Sequence, residues 1–412
     1  MPTPSILISG ASVSGPALAH WLNAAGWSTT VVERFDGLRD AGQNVDVRGA
    51  SREVVRRMGI EDALFATATG EEGTEIVDDR GRTVASFPRN ATTVDGATAE
   101  LEILRGELSR VIYESTLPAT EYVFGDQITG LDDRGDRVDV TFRHAAPRSF
   151  DIVVVAEGLT SRTRSLVMPD ARIRYLDLYL AYLTIPRTAE DSDWWRWYNA
   201  PGQRSVTLRP DNFGTIRATL GFMSNVRGLE DLDQRDQTTI LRKTFADGGW
   251  ETPRVLDGLD DAPYYFDAVG QVRIPRWSRG RVGLVGDAAY CAAPLSGMGT
   301  SLALVGAYVL AAELATASDH ARAFDRFERR MRPYVAGAQK LPPGTPGIAH
   351  PRTRAGVRTL RTLAKAAGSP LAQRFALADK ISSPPADRIT LPDFLPGGSR
   401  PGTADAIEGD MA

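Results

Sequence analysis

The start of the chain has the hydrophobic pattern of a strand, a helix and a second strand. Residues 5–9 form a short apolar run, residues 16–25 show helical spacing, and residues 29–33 return to strand character. Pro16 suits the first turn of a helix and Gly26 suits its end. This order of elements is typical of a domain built on a parallel sheet.

Similar patterns return further along the chain. Residues 100–114 show helical spacing, residues 151–156 are largely apolar, and residues 281–285 form another short strand-like run. Residues 300–317 are apolar on nearly all sides, which predicts a buried helix. Because strands buried on both faces read as continuous apolar runs, we predict that the first domain resumes after an interruption.

The stretch from 173 to 271 has a different pattern, with alternating segments and many aromatic residues. Four of the seven tryptophans lie here, namely Trp194, Trp195, Trp197 and Trp250. Alternation of this kind predicts an antiparallel sheet. The expected organisation is a first domain of residues 1–75, 98–172 and 272–340, a second domain of 76–97 and 173–271, a C-terminal helical segment of 341–394 and a disordered tail of 395–412.

Composition narrows the class of protein. The chain has 412 residues and a formal net charge of -4, which gives no reason to expect nucleic acid as a partner. Cys291 is the one cysteine, so no intrachain disulfide can form, and four scattered histidines argue against a metal site. Neither a signal sequence nor a long uninterrupted apolar run is visible. We expect a cytoplasmic protein without a membrane span, as a monomer or homodimer.

A glycine-rich segment, Gly10-Ala11-Ser12-Val13-Ser14-Gly15, lies between the first predicted strand and its helix. Glycines at such a turn let the backbone approach a pyrophosphate, and an acid at the end of the next strand, here Glu33, accepts hydrogen bonds from a ribose. Ser12 replaces the middle glycine of the usual fingerprint, so the segment alone also fits an ordinary strand, turn and helix. The surrounding elements and Glu33 favour an adenine dinucleotide.

A second segment follows the apolar run at 151–156. Glu157 and Gly158 stand at the end of this predicted strand, and hydroxyl and arginine side chains follow in residues 159–164. Such a turn can hold a pyrophosphate or a ribose edge. The alternative is a strand that turns into an N-capped helix, which explains the same residues equally well.

A third segment covers residues 282–289 and continues through Pro294, Gly297 and Gly299 into the apolar helix. An aspartate just beyond a buried strand, here Asp287, can accept hydrogen bonds from a ribityl hydroxyl. The two glycines direct amides of the helix N-terminus towards the negative charge at N1 and O2 of a reduced flavin. This segment is the most informative in the chain, and it favours FAD.

Taken together and in this order, the three segments resemble the group A flavoprotein monooxygenases, the family of para-hydroxybenzoate hydroxylase, polyketide hydroxylases and tetracycline-inactivating monooxygenases. The resemblance covers roughly residues 4–335. It implies an α/β fold with a Rossmann-like FAD-binding domain of the GR2 type, an inserted antiparallel substrate domain and C-terminal helices. It also implies that the first predicted domain binds FAD and the second binds the substrate.

The resemblance assigns roles to residues by position. Gly10, Ser12 and Gly15 are expected at the FAD pyrophosphate, Glu33 and Arg34 at the adenosine ribose, Arg105 at the ribityl chain or a phosphate, Asp287 at the ribityl chain, and Pro294, Gly297, Met298, Gly299 and Thr300 beside the isoalloxazine ring. The chain departs from the usual pattern at Glu157, Tyr290, Ser301 and Gly306, where the family commonly has aspartate, histidine, asparagine and aspartate. We expect residues 290 and 301 to lie near the ring.

The resemblance also implies a reaction. NADPH or NADH reduces FAD, O2 adds at flavin C4a, and the hydroperoxide transfers one oxygen atom to an electron-rich carbon of an aromatic or polyketide-like substrate. An enclosed, mostly apolar pocket is needed to keep water away. Two alternatives remain, namely a reductase or dehydrogenase on the same fold that inserts no oxygen, and a non-catalytic protein that binds flavin or another ligand.

Candidates for the substrate pocket come from the alternating segments. Trp195 and Trp197 share one face of a strand, where they form either a core or a pocket wall. Arg209, Arg217 and Phe222 lie on similar strands, and an arginine in an aromatic pocket can bind a phenolate or carboxylate. A solvated strand face is the alternative for each arginine. No histidine has an acid at motif spacing, so no general base can be named.

Overall fold

The structure is a computed structural model that describes residues 3–39, 42–88, 101–261, 263–369 and 389–394. Its strands are β1 (Ser5–Ser9), β2 (Ser28–Glu33), β3 (Asn44–Val47), β4 (Gly73–Val77), β5 (Thr83–Pro88), β6 (Leu101–Leu104), β7 (Thr120–Phe124), β8 (Ile128–Asp133), β9 (Val138–Phe142), β10 (Arg148–Phe150), β11 (Ile152–Val155), β12 (Ile173–Pro186), β13 (Trp194–Ala200), β14 (Arg204–Pro210), β15 (Thr215–Met223), β16 (Tyr265–Val272), β17 (Ser278–Arg279) and β18 (Val282–Leu284). Its α-helices are α1 (Ser14–Ala24), α2 (Ala50–Arg57), α3 (Glu61–Phe65), α4 (Arg105–Glu114), α5 (Arg162–Val167), α6 (Gln234–Phe245), α7 (Thr252–Asp257), α8 (Asp287–Tyr290), α9 (Gly299–Thr316), α10 (His320–Ala338) and α11 (Arg354–Ala367).

A six-stranded sheet forms the centre of the first domain, in the order β17, β18, β11, β1, β2, β7. Five of these strands run parallel, and β17 pairs antiparallel at one edge. The middle of β1 and all of β11 are buried, as their apolar sequences predict. The carboxyl ends of β1, β2, β11 and β18 therefore meet at one edge of the sheet, where α/β proteins bind their ligands.

A seven-stranded sheet forms the second domain, in the order β16, β12, β15, β14, β13, β4, β5. Its neighbours pair antiparallel except β13 and β4, which run parallel, so the predicted antiparallel sheet is in fact mixed. One face packs under α6 and α7, whose Leu241, Phe245 and Val255 share a core with side chains of the sheet. We call the opposite face, which carries Leu180, Tyr182 and Thr219, the inner face. It lies against the first domain.

The predicted helix at 100–114 is wrong at its start. Residues 101–104 form β6, which pairs antiparallel with β3, and the helix begins only at Arg105. The local spacing is helical, but pairing with a strand some sixty residues earlier in the chain decides the conformation. This pairing matters for the site, because it places Arg105 at the end of a buried strand.

The predicted buried helix at 300–317 is α9, and all but a few of its residues are buried. It is long and apolar enough to cross a membrane by length and composition, but it packs in the protein core against α1, α2 and α10. In the predicted C-terminal segment, the structure describes α11 and the stretch 389–394, whose Phe394 packs on Tyr308 of α9. The predicted tail at 395–412 lies outside the described residues.

Candidate flavin site and substrate face

The glycine-rich turn after β1 is closed so tightly that two of its positions require glycine. Gly10 has φ +111°, and a Cβ atom there would lie 2.7 Å from the Ala156 carbonyl oxygen. A Cβ atom at Gly15 would lie 1.9 Å from the Gly10 carbonyl oxygen. The turn leads into α1, which has no side-chain cap. The uncapped amides at this helix start are suited to an anion.

Glu33 at the end of β2 is tied to this turn. Its carboxylate accepts hydrogen bonds from the Ala11 amide at 2.9 Å and from the Phe35 amide at 3.2 Å. These bonds hold the acid beside the turn, which is the place that recognition of a ribose requires. Arg34 is exposed, and its guanidinium lies 4.8 Å from the centre of the Phe35 ring.

Two arginines stand close to one another at the same edge. Arg105 begins α4, and its Nη1 lies 3.5 Å from the Ser12 hydroxyl. Burial lowers the pKa of Arg105, and the neighbouring charge of Arg39 lowers it further. Arg39 was not predicted as a site residue; its guanidinium lies 4.8 Å from the Phe35 ring and 5.0 Å from the Tyr265 ring. Two adjacent cations beside an uncapped helix start suit a pyrophosphate.

Asp287 follows β18 at the same edge. Its side chain is accessible to water although protein surrounds it, and this surrounding raises the pKa of its carboxyl, while Arg105 acts in the opposite direction. An exposed acid at this edge can be reached by a polar chain. The geometry fits a carboxylate that accepts hydrogen bonds from sugar-like hydroxyls.

The loop between α8 and α9 is exposed at the same edge of the sheet. Pro294, Gly297 and Gly299 are exposed, Thr300 is half-buried, and Met298 is fully buried. Ahead of the loop, Ala293 has φ +73°, a conformation that non-glycine residues rarely adopt and that marks functional sites. Helix α9 begins at Gly299 without a side-chain cap, so its first amides can face a ligand.

Arg48 supports this loop from the other side. It is buried, and its Nη2 lies 3.4 Å from the Gly297 carbonyl oxygen and 3.8 Å from the Met298 sulfur. Arg48 was not predicted as a site residue, because nothing local distinguishes it from other arginines. Only the pairing of β3 with β6 and the packing of α9 on α2 bring it here.

The middle segment has a structural role. The Glu157 carboxylate accepts hydrogen bonds from the hydroxyls of Ser9, Ser161 and Thr163, each at 2.6 Å. Ser161 caps α5 through the Arg164 amide. These bonds occupy both oxygens of Glu157, so the N-capped helix is the better interpretation of this segment.

Two departures from the family pattern compensate for one another. Tyr290 is buried against Trp277 and Phe327, and a Cβ atom at Gly306 would lie 2.0 Å from its hydroxyl oxygen. The Tyr290 ring thus fills the space that a side chain at 306 would need. The expectation that residue 290 lies near the flavin ring is wrong, because its side chain points into the core of the first domain.

Ser301, the remaining departure, is buried at the start of α9. Its hydroxyl lies 3.1 Å from that of Ser51 on α2. Ser51 in turn accepts a hydrogen bond from the Arg48 amide at 3.1 Å. Ser301 therefore helps to fix the arginine that contacts the Gly297 to Met298 loop.

The inner face presents its side chains in rows, because strand pairing fixes which residues are neighbours. One row runs Trp197, Thr207, Thr219, Tyr182, Tyr265, and the next runs Trp195, Arg209, Arg217, Thr184. Trp195 and Trp197 lie on this face with ring centres 5.1 Å apart, as their spacing predicted. Leu178 and Val269 of the sheet pack with Ala293, so the loop before α9 lies against this face.

Neither arginine of the inner face is free to receive a substrate anion in this structure. Arg209 lies 2.6 Å from Glu71 and 2.9 Å from Glu102, and Arg217 lies 2.9 Å from Asp211. Their side chains are 14% and 17% exposed, so the alternative of a solvated strand face is also wrong. Both arginines bind carboxylates within the protein.

Phe222 lies on the opposite face of the sheet from the tryptophans. It stacks with Tyr179 and Phe266 and meets Phe245 of α6 edge to face. Alternate side chains of a strand point to opposite sides of the sheet. Because Arg217 and Thr219 of the same strand point to the inner face, Phe222 points to the opposite one. The assignment of Phe222 to the substrate pocket is therefore corrected to the outer core.

Three polar residues of the inner face were not predicted. Tyr182 and Tyr265 stack with ring centres 6.3 Å apart, and the Tyr265 hydroxyl donates a hydrogen bond to Asp267. Burial raises the pKa of Asp267, and the bond from Tyr265 opposes this. Both tyrosines lie close enough to Arg105 to raise its pKa, against the effect of burial. Only the register of β12 and β16 brings these groups together.

The site as a whole fits FAD. Its fixed features are an accessible carboxylate, paired guanidinium groups, two uncapped helix starts and an exposed loop backbone, and all of them face one edge of the parallel sheet. A dinucleotide with a polar linker and a flat ring needs this set of groups. Among the described residues, no group of three or more histidine, cysteine or acidic side chains could hold a metal ion.

Comparisons with known proteins agree with this geometry. The model of the FAD binding domain family matches residues 3–338. An uncharacterised protein of Mycobacterium tuberculosis is 40% identical over 321 residues, which cover 76% of this chain and 86% of that protein. The flavin-dependent monooxygenase eupH of a Phoma species is 34% identical over 439 residues and covers 97% of this chain and 100% of its own length.

A solved structure extends the comparison to the whole fold. The tetracycline destructase Tet(55) superposes with a TM-score of 0.78 at 32% identity and covers 96% of this chain and 100% of that one. The predicted resemblance to group A flavoprotein monooxygenases is confirmed, as are the α/β class and FAD as the cofactor. The chain belongs to the FAD binding domain family and is an FAD-dependent monooxygenase.

Proposed function

We propose that the protein uses NADPH or NADH and O2 to hydroxylate a polycyclic phenol or a related polyketide-like molecule that lies between the flavin loop and the inner face. One observation carries the proposal: the loop with exposed Pro294, Gly297 and Gly299 is anchored through Ala293 on aliphatic side chains of the same sheet face that carries Tyr182 and Trp197. Broad, flat substrates are suited to such a face. A similar fold in a tetracycline destructase supports the same substrate class.

In this proposal FAD lies along the carboxyl edge of the parallel sheet. Gly10, Ser12 and Gly15 face its pyrophosphate, with Arg105 and Arg39 as counter-charges. Glu33 holds the adenosine ribose and Asp287 the ribityl chain, and the loop from Pro294 to Thr300 lies beside the ring. When bound, FAD accepts electrons from the nicotinamide and activates O2.

The residues of the chain itself orient the substrate and keep water out. Leu178, Val269 and Ala293 form a small apolar cluster at the junction of loop and sheet. Such a cluster limits the access of water to the reacting atoms. Trp195, Trp197 and Tyr182 offer ring faces to the substrate. Asp267, whose pKa burial raises, is the ionisable group of this face that we assign to the phenol proton.

The test is reduction of the purified yellow protein by NADPH and, separately, by NADH in the absence of oxygen, with and without polycyclic phenols, followed by mixing with 18O2. We expect a phenol to accelerate the reduction and the product to gain one 18O atom. Reduction without 18O in any product contradicts hydroxylation and identifies a reductase. A protein that binds FAD but consumes no nicotinamide with any phenol is a flavin-binding protein instead.

A further inference from the structure

A buried ion cluster joins the two domains beside the substrate face. Arg209 of β14 points its Nε towards two carboxylates at once, with Glu71 at 2.6 Å and Glu102 at 2.9 Å. Its Nη2 lies 3.6 Å from Asp46 of β3. The Glu71 and Glu102 side chains are only 1% and 3% exposed. We call these four residues the Arg209 cluster.

The Arg209 cluster contains three carboxyl groups for one guanidinium. Arg48, two residues beyond Asp46, is a second positive charge that acts on the cluster and lowers the pKa of Asp46. Three ionised carboxylates would leave buried negative charge uncompensated even with both arginines counted, and such charge is costly in a protein interior. One carboxyl must therefore keep its proton at neutral pH.

The geometry indicates where that proton is shared. Glu71 and Glu102 both approach the same Nε–H of Arg209, but Glu102 also accepts a hydrogen bond from the Asn44 side-chain amide at 2.6 Å, so Glu71 is the less satisfied of the two carboxyl groups. A second oxygen of Glu71 is buried without a hydrogen-bond partner in the structure. Burial raises the pKa of Glu71 to about 8, with Arg209 opposing and Glu102 adding to the effect. Burial likewise raises the pKa of Asp46.

The Arg209 cluster contacts both halves of the site. The Arg209 guanidinium lies 4.4 Å from the centre of the Trp195 ring, and Trp195 in turn packs on Trp197 of the inner face. On the other side, Asp46 lies in β3, and Arg48 follows directly after this strand. Arg48 contacts Gly297 and Met298 of the flavin loop. A change of charge in the cluster therefore acts on the wall of the substrate pocket.

We propose that Glu71 and Asp46 of the Arg209 cluster hold one proton between them that keeps Arg209 and Trp195 in place, and that loss of this proton in mildly alkaline solution weakens substrate binding while FAD stays bound. These are positioning residues, since none of them is placed against the reacting atoms. The substrate part of this inference rests on the proposed function, because it assumes that the substrate lies on the inner face.

The first experiment measures KM for the phenol identified by the 18O2 assay, together with the Kd of FAD, between pH 6 and pH 9.5. We compare the natural protein with Glu71→Gln, which carries the neutral form permanently, and with Glu72→Gln, an exposed neighbour outside the cluster. Titration of the phenol itself is common to all three proteins and cancels.

In the natural protein and in Glu72→Gln, we expect KM to rise about tenfold as one proton is lost near pH 8, a change worth about 1.4 kcal/mol. In Glu71→Gln, KM should stay at its low-pH value, and the Kd of FAD should be the same in all three proteins. An alkaline rise of equal size in Glu71→Gln overturns the proposal, and so does a natural protein whose KM is flat. If Glu71→Gln does not fold, Asp46→Asn is measured in its place.

The second experiment needs no substrate and therefore separates this inference from the proposed function. A carboxyl whose pKa is raised to about 8 keeps a proton that the unfolded chain releases near its ordinary pKa of 4.5, so stability falls as the pH rises between these values. We expect the folding constant of the natural protein, relative to Glu71→Gln, to fall by up to about tenfold per pH unit in this range. The free energy of unfolding is measured with urea for both proteins from pH 5 to pH 8.5. If it changes with pH in the same way in both, the shared proton is contradicted, whether or not any phenol is oxygenated.

Discussion

The carboxyl edge of the parallel sheet and the inner face of the seven-stranded sheet lie side by side but are assembled differently. At the edge, each functional group stands at the end of a strand or within three residues of it, as with Gly10 after β1, Glu33 at the end of β2 and Asp287 after β18. On the inner face, a row such as Trp197, Thr207, Thr219, Tyr182 and Tyr265 draws one residue from each of five strands.

The two halves of the site therefore place different demands on the sequence. The edge depends on backbone turns and helix starts, which tolerate few side chains. The inner face depends on side chains of a stable sheet, and these can change without disturbing the strands. The cofactor edge is thus built from local geometry, and the inner face from long-range register.

The strongest test of the edge is the substitution Gly15→Ala. Its Cβ atom would lie 1.9 Å from the Gly10 carbonyl oxygen, so the turn must open. We expect bound FAD to be lost, measured by absorbance of the purified protein. Gly158→Ala is the matched control, since a Cβ atom there meets nothing within 4 Å. FAD retained in full by Gly15→Ala would refute the tight turn as the basis of binding.

The two faces of the large sheet are separated by comparing Phe222→Ala with Trp197→Phe. Truncation of a buried phenylalanine typically costs about 3–5 kcal/mol, and Phe222 is 5% exposed in the outer core. We expect urea unfolding to show this loss with KM for the phenol nearly unchanged. Trp197→Phe should keep its stability and raise KM. A raised KM in Phe222→Ala together with an unchanged KM in Trp197→Phe would place the substrate on the outer face of the sheet and contradict the inner face as its site.

Asp287→Ala tests the acid beyond β18. A hydrogen bond to a charged group contributes about 1.5–3 kcal/mol, so FAD affinity should fall about tenfold to a hundredfold. The fold should persist by circular dichroism, because Asp287 is exposed and the substitution removes only its hydrogen bond with the Cys291 thiol. Asp325→Ala, an exposed aspartate of the same domain, serves as the control. Unchanged affinity for FAD would remove Asp287 from the site.

The smallest expected effect is that of Glu33→Gln. The amide oxygen can still accept the Ala11 hydrogen bond, but the charge-assisted bonds to a ribose weaken. We expect the Kd of FAD to rise about fivefold to tenfold, with Glu190→Gln at an exposed position as the control. A Kd equal to that of the natural protein would mean that Glu33 serves only to hold the turn.

The fold class, the flavin and the glycine-rich turn could be predicted because each leaves a contiguous signal. Residues 101–104 could not, since their pairing with β3 overrides a helical spacing. Phe222 was placed on the wrong face because the phase of a strand depends on its neighbours. Arg39, Arg48 and Asp267 carry no local mark, and only tertiary packing brings them to the site.

Arg209 shows most clearly what a single segment conceals. The alternating segment around Arg209 fits either a substrate anchor or a solvated position. In the structure, however, Arg209 is surrounded by Asp46, Glu71 and Glu102 from two other strands and a loop. None of these acids stands near it in the chain. A charge balance of this kind depends on which distant elements meet, and no local pattern records it.

The most direct test of the account is a crystal structure of the protein with FAD and the phenol that it oxygenates. We predict the isoalloxazine ring beside the loop from Pro294 to Thr300, the ribityl chain within hydrogen-bonding distance of Asp287, and the phenol against Tyr182, Thr219 and Trp197. A phenol bound elsewhere, with the inner face empty, would contradict the division of the site into a cofactor edge and a substrate face.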